Sequence, residues 1–414
     1  MRGLPDDGRR LGGCAAMKPK LEVLDALRGF CALVVVVLHF SENYIPNYGI
    51  RLLPHGCLPV EYFFALTGFT LVYAYDDRWS QGLTYGAFFR RRVVRLHPLV
   101  IVGSIIGAMC YLLSAEQYAG RFPSVNLWQL GLLTLWCCTM LPAPSMFGWH
   151  LLHPLQGPLW TLFYIYVANV LDVFVLRHLK TWMLVALAVA ASAATYHFGF
   201  RLGGFHAGAA WSCWIGTGAW PASLERVLHS ANAAALARMA FPLLAGMVIA
   251  RKGWKIRAGN WSLWICVAVL SFIFAAPELR PVEPNNGPLD AKAILSALGL
   301  APSNALNGGF EATAVVVGMP LVLLLGVGGE IRNVKLATVC RFLGKYSFPL
   351  YCTHYPLTIL QRVWRDAHPD ASWQMHLATI CACAFFAFLN AYVAMRIADW
   401  VSVRLGSRPP APSA

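Results

Sequence analysis

Charge is what this sequence has least of. Only 13% of its 414 residues are charged, with 19 acidic side chains against 33 basic ones, whereas a soluble domain carries about 25% charged residues. That shortage, beside 58% apolar residues, excludes water as the main solvent of the chain. Also missing is a polar stretch long enough for a separate soluble domain, because apolar runs such as 24–40, 183–194, 261–276 and 315–327 recur throughout. No small-residue cleavage site follows the first apolar run, which therefore reads as a retained span rather than a secretory leader. No Cys-x-x-Cys pair occurs among the 12 cysteines. Cys31, Cys110, Cys137, Cys138, Cys266, Cys352, Cys381 and Cys383 lie inside apolar runs as small hydrophobes, so neither structural zinc nor an iron–sulfur cluster is expected, and no metal site at all. Cys57 and Cys213 fall in expected outer loops, where they could pair. No internal repeat is visible, which weakens an inverted-repeat transporter.

What is present is a series of membrane-length apolar segments. A span needs about 17 to 25 mostly apolar residues, and segments of this kind fall near 22–42, 58–75, 96–114, 155–176, 181–198, 238–250, 259–276, 310–327, 342–362 and 376–396. The fold class is thus all-α, a polytopic membrane bundle of about ten spans. A basic segment (1–20) precedes the membrane domain (21–400), and a short tail (401–414) follows; Met17 could be the true start. The net charge of +14 does not imply nucleic acid, because basic residues cluster at the ends of apolar segments rather than along one face. Excluding 127–141 as a span places the basic N-terminus, Arg90 to Arg92, Arg95, Arg177, Lys180, Arg251, Lys252, Lys255, Arg257, Arg332, Lys335, Arg404 and Arg408 all on one side. By the positive-inside rule that side is the cytoplasm, with both termini in it.

Ionisable residues inside spans are costly and mark function by default. The first span holds Arg28 and, eleven residues on, His39. That separation is about 16 Å along a helix and about 20° around it, so both share one face. The structural alternative has Arg28 snorkelling to the interface and His39 capping the outer end. Glu61 opens the second span, and in an antiparallel hairpin it would enter where His39 leaves, fixing the imidazole tautomer as a general base requires; a hydrated interfacial Glu is the plain alternative. Gly68 reads as a close-packing position. Arg92 and Arg95, at i and i+3, could join Arg28 in an inner phosphate site, or act only as a topology signal. The aromatic stretches around Trp160, Tyr164 and Tyr166 and around Tyr346 to His354 read as packing and interfacial anchors, and only His354 is unusual for a buried segment.

Taken together these residues resemble the acyltransferase 3 family, bacterial membrane proteins of about ten spans that O-acylate sugars in polysaccharides and other acceptors. Arg28 to His39 is similar to the family's Arg-x10-His signature, and 63–69 to its Phe-Phe-x-x-Ser/Thr-Gly-Phe helix. Arg92 and Arg95 match its Arg-x-x-Arg pair, 158–162 its Pro-x-Trp-Ser/Thr-Leu segment, and 344–354 its Gly-x-x-Ser-x-x-x-Tyr-x-x-His segment; Ala398, Asp399 and Arg404 loosely match its C-terminal end. The resemblance implies a location in the inner (plasma) membrane, a cytoplasmic acyl-CoA donor, His39 as catalytic base and arginines near the donor.

Two departures stand out. Glu61 replaces the usual Asp, and Ile165 stands where the family commonly has Glu, so Tyr164 or Tyr166 would have to substitute, or the acceptor is handled differently. The expected reaction moves an acyl group, acetyl, from acyl-CoA (acetyl-CoA) to a hydroxyl of a sugar in a lipid-linked or exported polysaccharide. Catalysis falls to His39 and Glu61, donor binding to Arg28, Arg92 and Arg95, and acceptor contact to Trp160, Tyr164, Tyr166 and His354. Direct transfer and an acyl-histidine intermediate are both open. Expected partners are membrane lipid, the glycan acceptor and polysaccharide-assembly proteins, with no nucleic acid. The alternatives from other classes are a transporter or flippase of a lipid-linked molecule and a catalytically silent relative.

Overall fold

The computed structural model describes residues 20–44, 53–114, 124–143, 147–149, 153–205, 231–281 and 295–404. Most of the basic N-terminal segment, Met17, Cys213 and the tail beyond Arg404 lie outside these. Among the described residues the regular structure is helical, and one isolated bridge joins Gly259 to Gly329.

Helix α1 (Glu22–Ser41) starts with Glu22 and Asp25 in its first turn, where carboxylates complement the helix dipole. Helix α2 (Pro59–Ser80) begins on proline, whose missing N–H costs nothing there. Helix α3 (Tyr85–Ser114) starts well before the expected boundary at 96, so Arg90 to Arg95 are inside the helix. Helix α4 (Leu127–Cys138) is entered by a capping box between Asn126 and Gln129. Its 12 residues make about 18 Å, too short for a hydrocarbon core of about 30 Å, in keeping with its exclusion as a span.

Helix α5 (Trp160–Phe174) follows the single turn Gly157–Leu159, α6 (Thr181–Leu202) ends on left-handed Gly203, and α7 (Ala231–Lys252) and α8 (Ser262–Ala275) follow. Helix α9 (Asn304–Val327) is capped by Ser303 and carries a π-helical turn at Ala314–Gly318. Helix α10 (Val334–Thr353) is capped by Asn333, α11 (Tyr355–Ala367) follows it, and α12 (Trp373–Arg404) closes the bundle.

One expected span is corrected. The segment 342–362 is two helices meeting at His354, because Pro356 in the first turn of α11 cannot supply the N–H that would continue α10.

Seven helices, α1, α3, α5 with its flanking single turns, α6, α7, α9 and α12, are long and apolar enough to cross a membrane. Helices α2, α8 and α10 occupy the remaining expected spans, α2 and α10 with more charge and α8 with only 14 residues. Large apolar side chains such as Leu113, Val189, Phe272 and Phe385 are exposed around the bundle, as expected where lipid is the solvent.

The helix ends sort into two faces. On one, Arg341 pairs with Glu22, Ile256 N–H donates to Leu324 O, and Arg251 donates to the carbonyls of Leu176, Arg177 and Leu179. This basic face therefore joins the starts of α1, α6, α8 and α10 to the ends of α5, α7 and α9. On the opposite face Asn43 donates to Thr358 O, tying the end of α1 to the start of α11, and Leu279 N–H donates to Asn307, tying the segment after α8 to the start of α9. Helices thus alternate in direction, as the basic clusters predict. Small residues let them approach: a Cβ on Gly68 would meet Leu243 O of α7 at 1.9 Å, and one on Gly246 would meet Ala65 O of α2 at 2.0 Å, the close backbone crossing read from Gly68 in sequence.

Candidate active site

Position 39 is in the last turn of α1, and His39 there is only 13% exposed in its side chain. Its Nδ1 lies 3.1 Å from Glu42 Oε2, one helical turn on. A carboxylate accepts, so Nδ1 carries a proton, and in the neutral ring the lone pair is on Nε2. The ring stacks on His354, centroids 5.4 Å apart, and meets the edge of Tyr355 at 5.1 Å. His354, fully buried at the α10–α11 junction, places Nδ1 3.0 Å from the carbonyls of both Leu350 and Tyr351 and leaves Nε2 without a partner. Arg28 and His39 do share one face of α1, since both sit against α10 or its end.

His39 lines an internal cavity with Val35, Leu38, Val60, Trp160, Arg238 and Tyr351 among its walls. The cavity is about 50 Å³, enough for a few waters and too small for a sugar. Tyr351 Oη donates to Pro158 O at 3.0 Å and lies 2.8 Å from Thr161 Oγ1, so two stretches singled out in sequence meet here.

Glu61 does not orient His39. It is fully buried and receives Nε of Arg238 at 2.5 Å, leaving Oε2 without a hydrogen-bond partner. The physical reason is charge: a buried carboxylate is drawn to a guanidinium more strongly than to a neutral imidazole. The hairpin reasoning holds only coarsely, for His39 and Arg238 share the cavity while Glu42 takes the imidazole. Arg238, 1% exposed, also donates to Phe205 O at 3.1 Å and sits over the Trp160 ring at 5.1 Å.

Phe205 links this pair to a second one. Its N–H donates to Glu311 Oε2, and Glu311 Oε1 lies 2.7 Å from His55 Nδ1. Both Glu311 and His55 are fully buried. In the loop before α2, burial pulls the His55 pKa down, but the bond to Glu311 and the charges of Glu311 and Glu278 outweigh it and raise it above its usual value. Sequence reasoning missed Arg238, Glu311 and His55. Arg238 and Glu311 fall inside expected spans, so the rule that flagged Arg28 and His39 would have found them; His55, in a loop, carries no such signal.

At the basic face Arg28 donates to Gly344 O at 2.6 Å and Ser347 Oγ at 3.0 Å and pairs with Asp25 at 3.0 Å. Arg92 is buried over the rings of Tyr75 and Phe88, and its Nε and Nη2 have no hydrogen-bond partner. Arg95 is exposed and close enough to act electrostatically on both Arg28 and Arg92. The three arginines are thus one neighbourhood, although Arg92 and Arg95 point to different environments. Trp160 lines the cavity, whereas Tyr164 is packed against Trp160 at 5.9 Å and Tyr166 Oη lies 3.4 Å from His97 Nδ1. Neither tyrosine lines the cavity, and Ile165, where the family commonly has a carboxylate, packs partly buried against the core.

With these positions described, comparison with known proteins is decisive at the level of family. The acyltransferase 3 model, whose description is an acyltransferase domain, matches residues 21–396. The chain belongs to the acyltransferase 3 family. Membership makes it an acyltransferase and accounts for the helical membrane bundle. Among curated relatives, "Protein 2 in picA locus" of Rhizobium radiobacter is 31% identical over 36% of this chain and 78% of its own length. "Acyltransferase MdmB" of Streptomyces mycarofaciens is 27% identical over 34% of this chain, and the match spans only 36% of that protein. No solved structure matches.

Proposed function

We propose that this acyltransferase moves an acetyl group from acetyl-CoA, bound at the basic face, to a sugar hydroxyl of a lipid-linked or exported polysaccharide. The observation that carries the reading is His39: its Nδ1 is committed to Glu42, and the ring faces a cavity walled by Arg238, Trp160 and Tyr351. Nε2 takes the proton of the acceptor hydroxyl as the oxygen attacks the thioester carbonyl. The carbon–sulfur bond then breaks, the thiolate leaves with the proton returned by the imidazolium, and the products are an O-acetyl ester and free CoA. General-base help of this kind contributes about 10² to 10⁴ in rate.

The phosphates of CoA fall to Arg92 and Arg95, with Arg28 beside them, because Arg92 has donors that no protein group uses. Arg28 and His39 are about 16 Å apart along α1, so the donor's flexible arm must run along the bundle to bring its thioester to His39. The 50 Å³ cavity must widen for this. His354, with Nε2 unpartnered against His39, and Trp160 are the acceptor contacts.

The orientation belongs to the same proposal: inner-membrane location, basic face and both termini in the cytoplasm, with polysaccharide-assembly proteins and membrane lipid as partners. Labelling at Lys180 from the cytoplasm and at Asn285 from outside tests it, and the reverse pattern contradicts it. For the chemistry, purified protein given acetyl-CoA labelled in the acetyl group should release CoA and label a glycan acceptor, and no acceptor-dependent release with any sugar would refute the reading.

A further inference from the structure

A second, larger cleft opens on the face of the bundle opposite the basic one. It is an open cleft of about 760 Å³ between the end of α1, the end of α11 and the start of α12, with Asn43, Tyr44, Arg365, Asp366, Trp373 and His376 in its walls. That volume is in the range of small-molecule sites, about 300–1,000 Å³, whereas the cavity at His39 is not.

The two are neighbours through two elements. Asn43 follows His39 by four residues, about 6 Å along the chain axis. Tyr355, which meets the His39 ring edge-on, opens α11, and Arg365 stands near its other end, about 15 Å away. The wall between is fixed by hydrogen bonds: Asn43 donates to Thr358 O and to Gln361 Oε1, and Arg362 donates to Asn43 Oδ1.

The lining has a definite chemistry. Trp373 is 69% exposed, a flat apolar face presented at the rim. Tyr44 and His376 meet edge-on at 5.0 Å and fix one another's rings. Arg365 is tied to Asp366 through Nε at 2.9 Å and Nη2 at 2.5 Å, so the cleft's charge is internally neutralised and does not call for an ion. In the wall of the cleft, His376 Nδ1 is buried without a hydrogen-bond partner, polar capacity that a ligand or its bound water would satisfy. A flat aromatic face beside neutralised, planar hydrogen-bonding groups suits an uncharged ring carrying many hydroxyls.

We propose that this cleft is a distal acceptor subsite, which holds a neutral sugar unit of an extended glycan while the reactive unit enters the cavity at His39. This rests on the proposed transfer to a glycan and adds to it which part of the acceptor is recognised away from the chemistry. It divides the labour: the small cavity reads one hydroxyl, and the cleft holds the chain that carries it.

The test separates binding from turnover. Intact protein in detergent is titrated with neutral gluco- and galacto-oligosaccharides of two to four units and with the corresponding monosaccharides, with no acyl donor present, and Trp373→Ala and Asp366→Asn are compared with wild type. Saturable binding of at least one oligosaccharide, tighter than its monosaccharide and weakened about tenfold by Trp373→Ala, is the expected result. Asp366→Asn, a surface change that leaves the fold in place, should weaken the same ligand in the same direction. Equal affinity for oligosaccharide and monosaccharide, no saturable binding by any sugar of the panel, or binding indifferent to both substitutions would overturn the subsite. A phospholipid headgroup displacing the sugar's place in the cleft without sugar binding would do so too. Because no donor is used, a failed transfer assay contradicts the proposed reaction and leaves this measurement to decide the cleft by itself.

Discussion

The two faces of the bundle treat buried charge in opposite ways. Toward the face bearing His39, Glu61 meets Arg238 and Glu311 meets His55, so each buried charge has an opposite charge or imidazole against it. At the basic face Arg92 is buried, though less deeply, two of its nitrogens have no hydrogen-bond partner, and exposed Arg95 adds like charge that the buried Asp172 carboxylate offsets without a direct ion pair. A buried charge is tolerated when it is paired, and an unpaired one is costly. The first arrangement therefore serves architecture and shapes the cavity, while the second leaves open donors, which the proposed function assigns to the phosphates of the donor.

That contrast can be broken most severely at Arg238. Arg238→Ala strands the Glu61 carboxylate in the interior and should destabilise the protein by about 3–5 kcal/mol, read as a large fall in the thermal midpoint in detergent. Pairing it with Glu61→Leu should recover most of the loss; a single substitution costing under about 1 kcal/mol would show that the pair is not structural. Arg92→Ala should do the reverse. It removes a charge-assisted contact worth about 1.5–3 kcal/mol, so the donor dissociation constant should rise about tenfold to a hundredfold, while the thermal midpoint holds or rises. A midpoint that collapses with donor affinity intact would make Arg92 a structural residue.

The smallest expected effect is on pH dependence. The folded pKa of His55 is raised above an unfolded value of about 6.5, so its contribution to stability is fully present below about pH 6.5. It is lost as pH rises through the folded value. Thermal midpoints measured across neutral and mildly alkaline pH should therefore decline, and His55→Gln should flatten that decline; an unchanged slope would contradict it.

The sequence was most legible where membrane physics leaves few choices. Apolar length and basic clusters placed the helices and their alternation, and the short α4 and the Gly68 crossing followed from the same rules. What it hid was pairing across long separations. Nothing local to Glu61 points to a partner 177 residues away, and the nearest charge in the expected hairpin was His39. The stacking of His39 on His354 was likewise invisible, although both residues stood out singly, because it depends on the break that Pro356 imposes at the head of α11. Glu42, which takes the imidazole, lies just past the end of α1, where a polar residue is ordinary and carries no signal of its own.

Everything proposed for the chemistry converges on one imidazole. Acetyl transfer should be measured with wild type, His39→Asn and Glu42→Gln at saturating acetyl-CoA, with donor binding determined separately for each. His39→Asn keeps polarity but supplies no base, so transfer should fall by about 10² to 10⁴ while donor binding at the distant arginines persists, and Glu42→Gln should fall less because Nε2 remains. Near-wild-type turnover by His39→Asn, with donor affinity unchanged, would contradict His39 as the base.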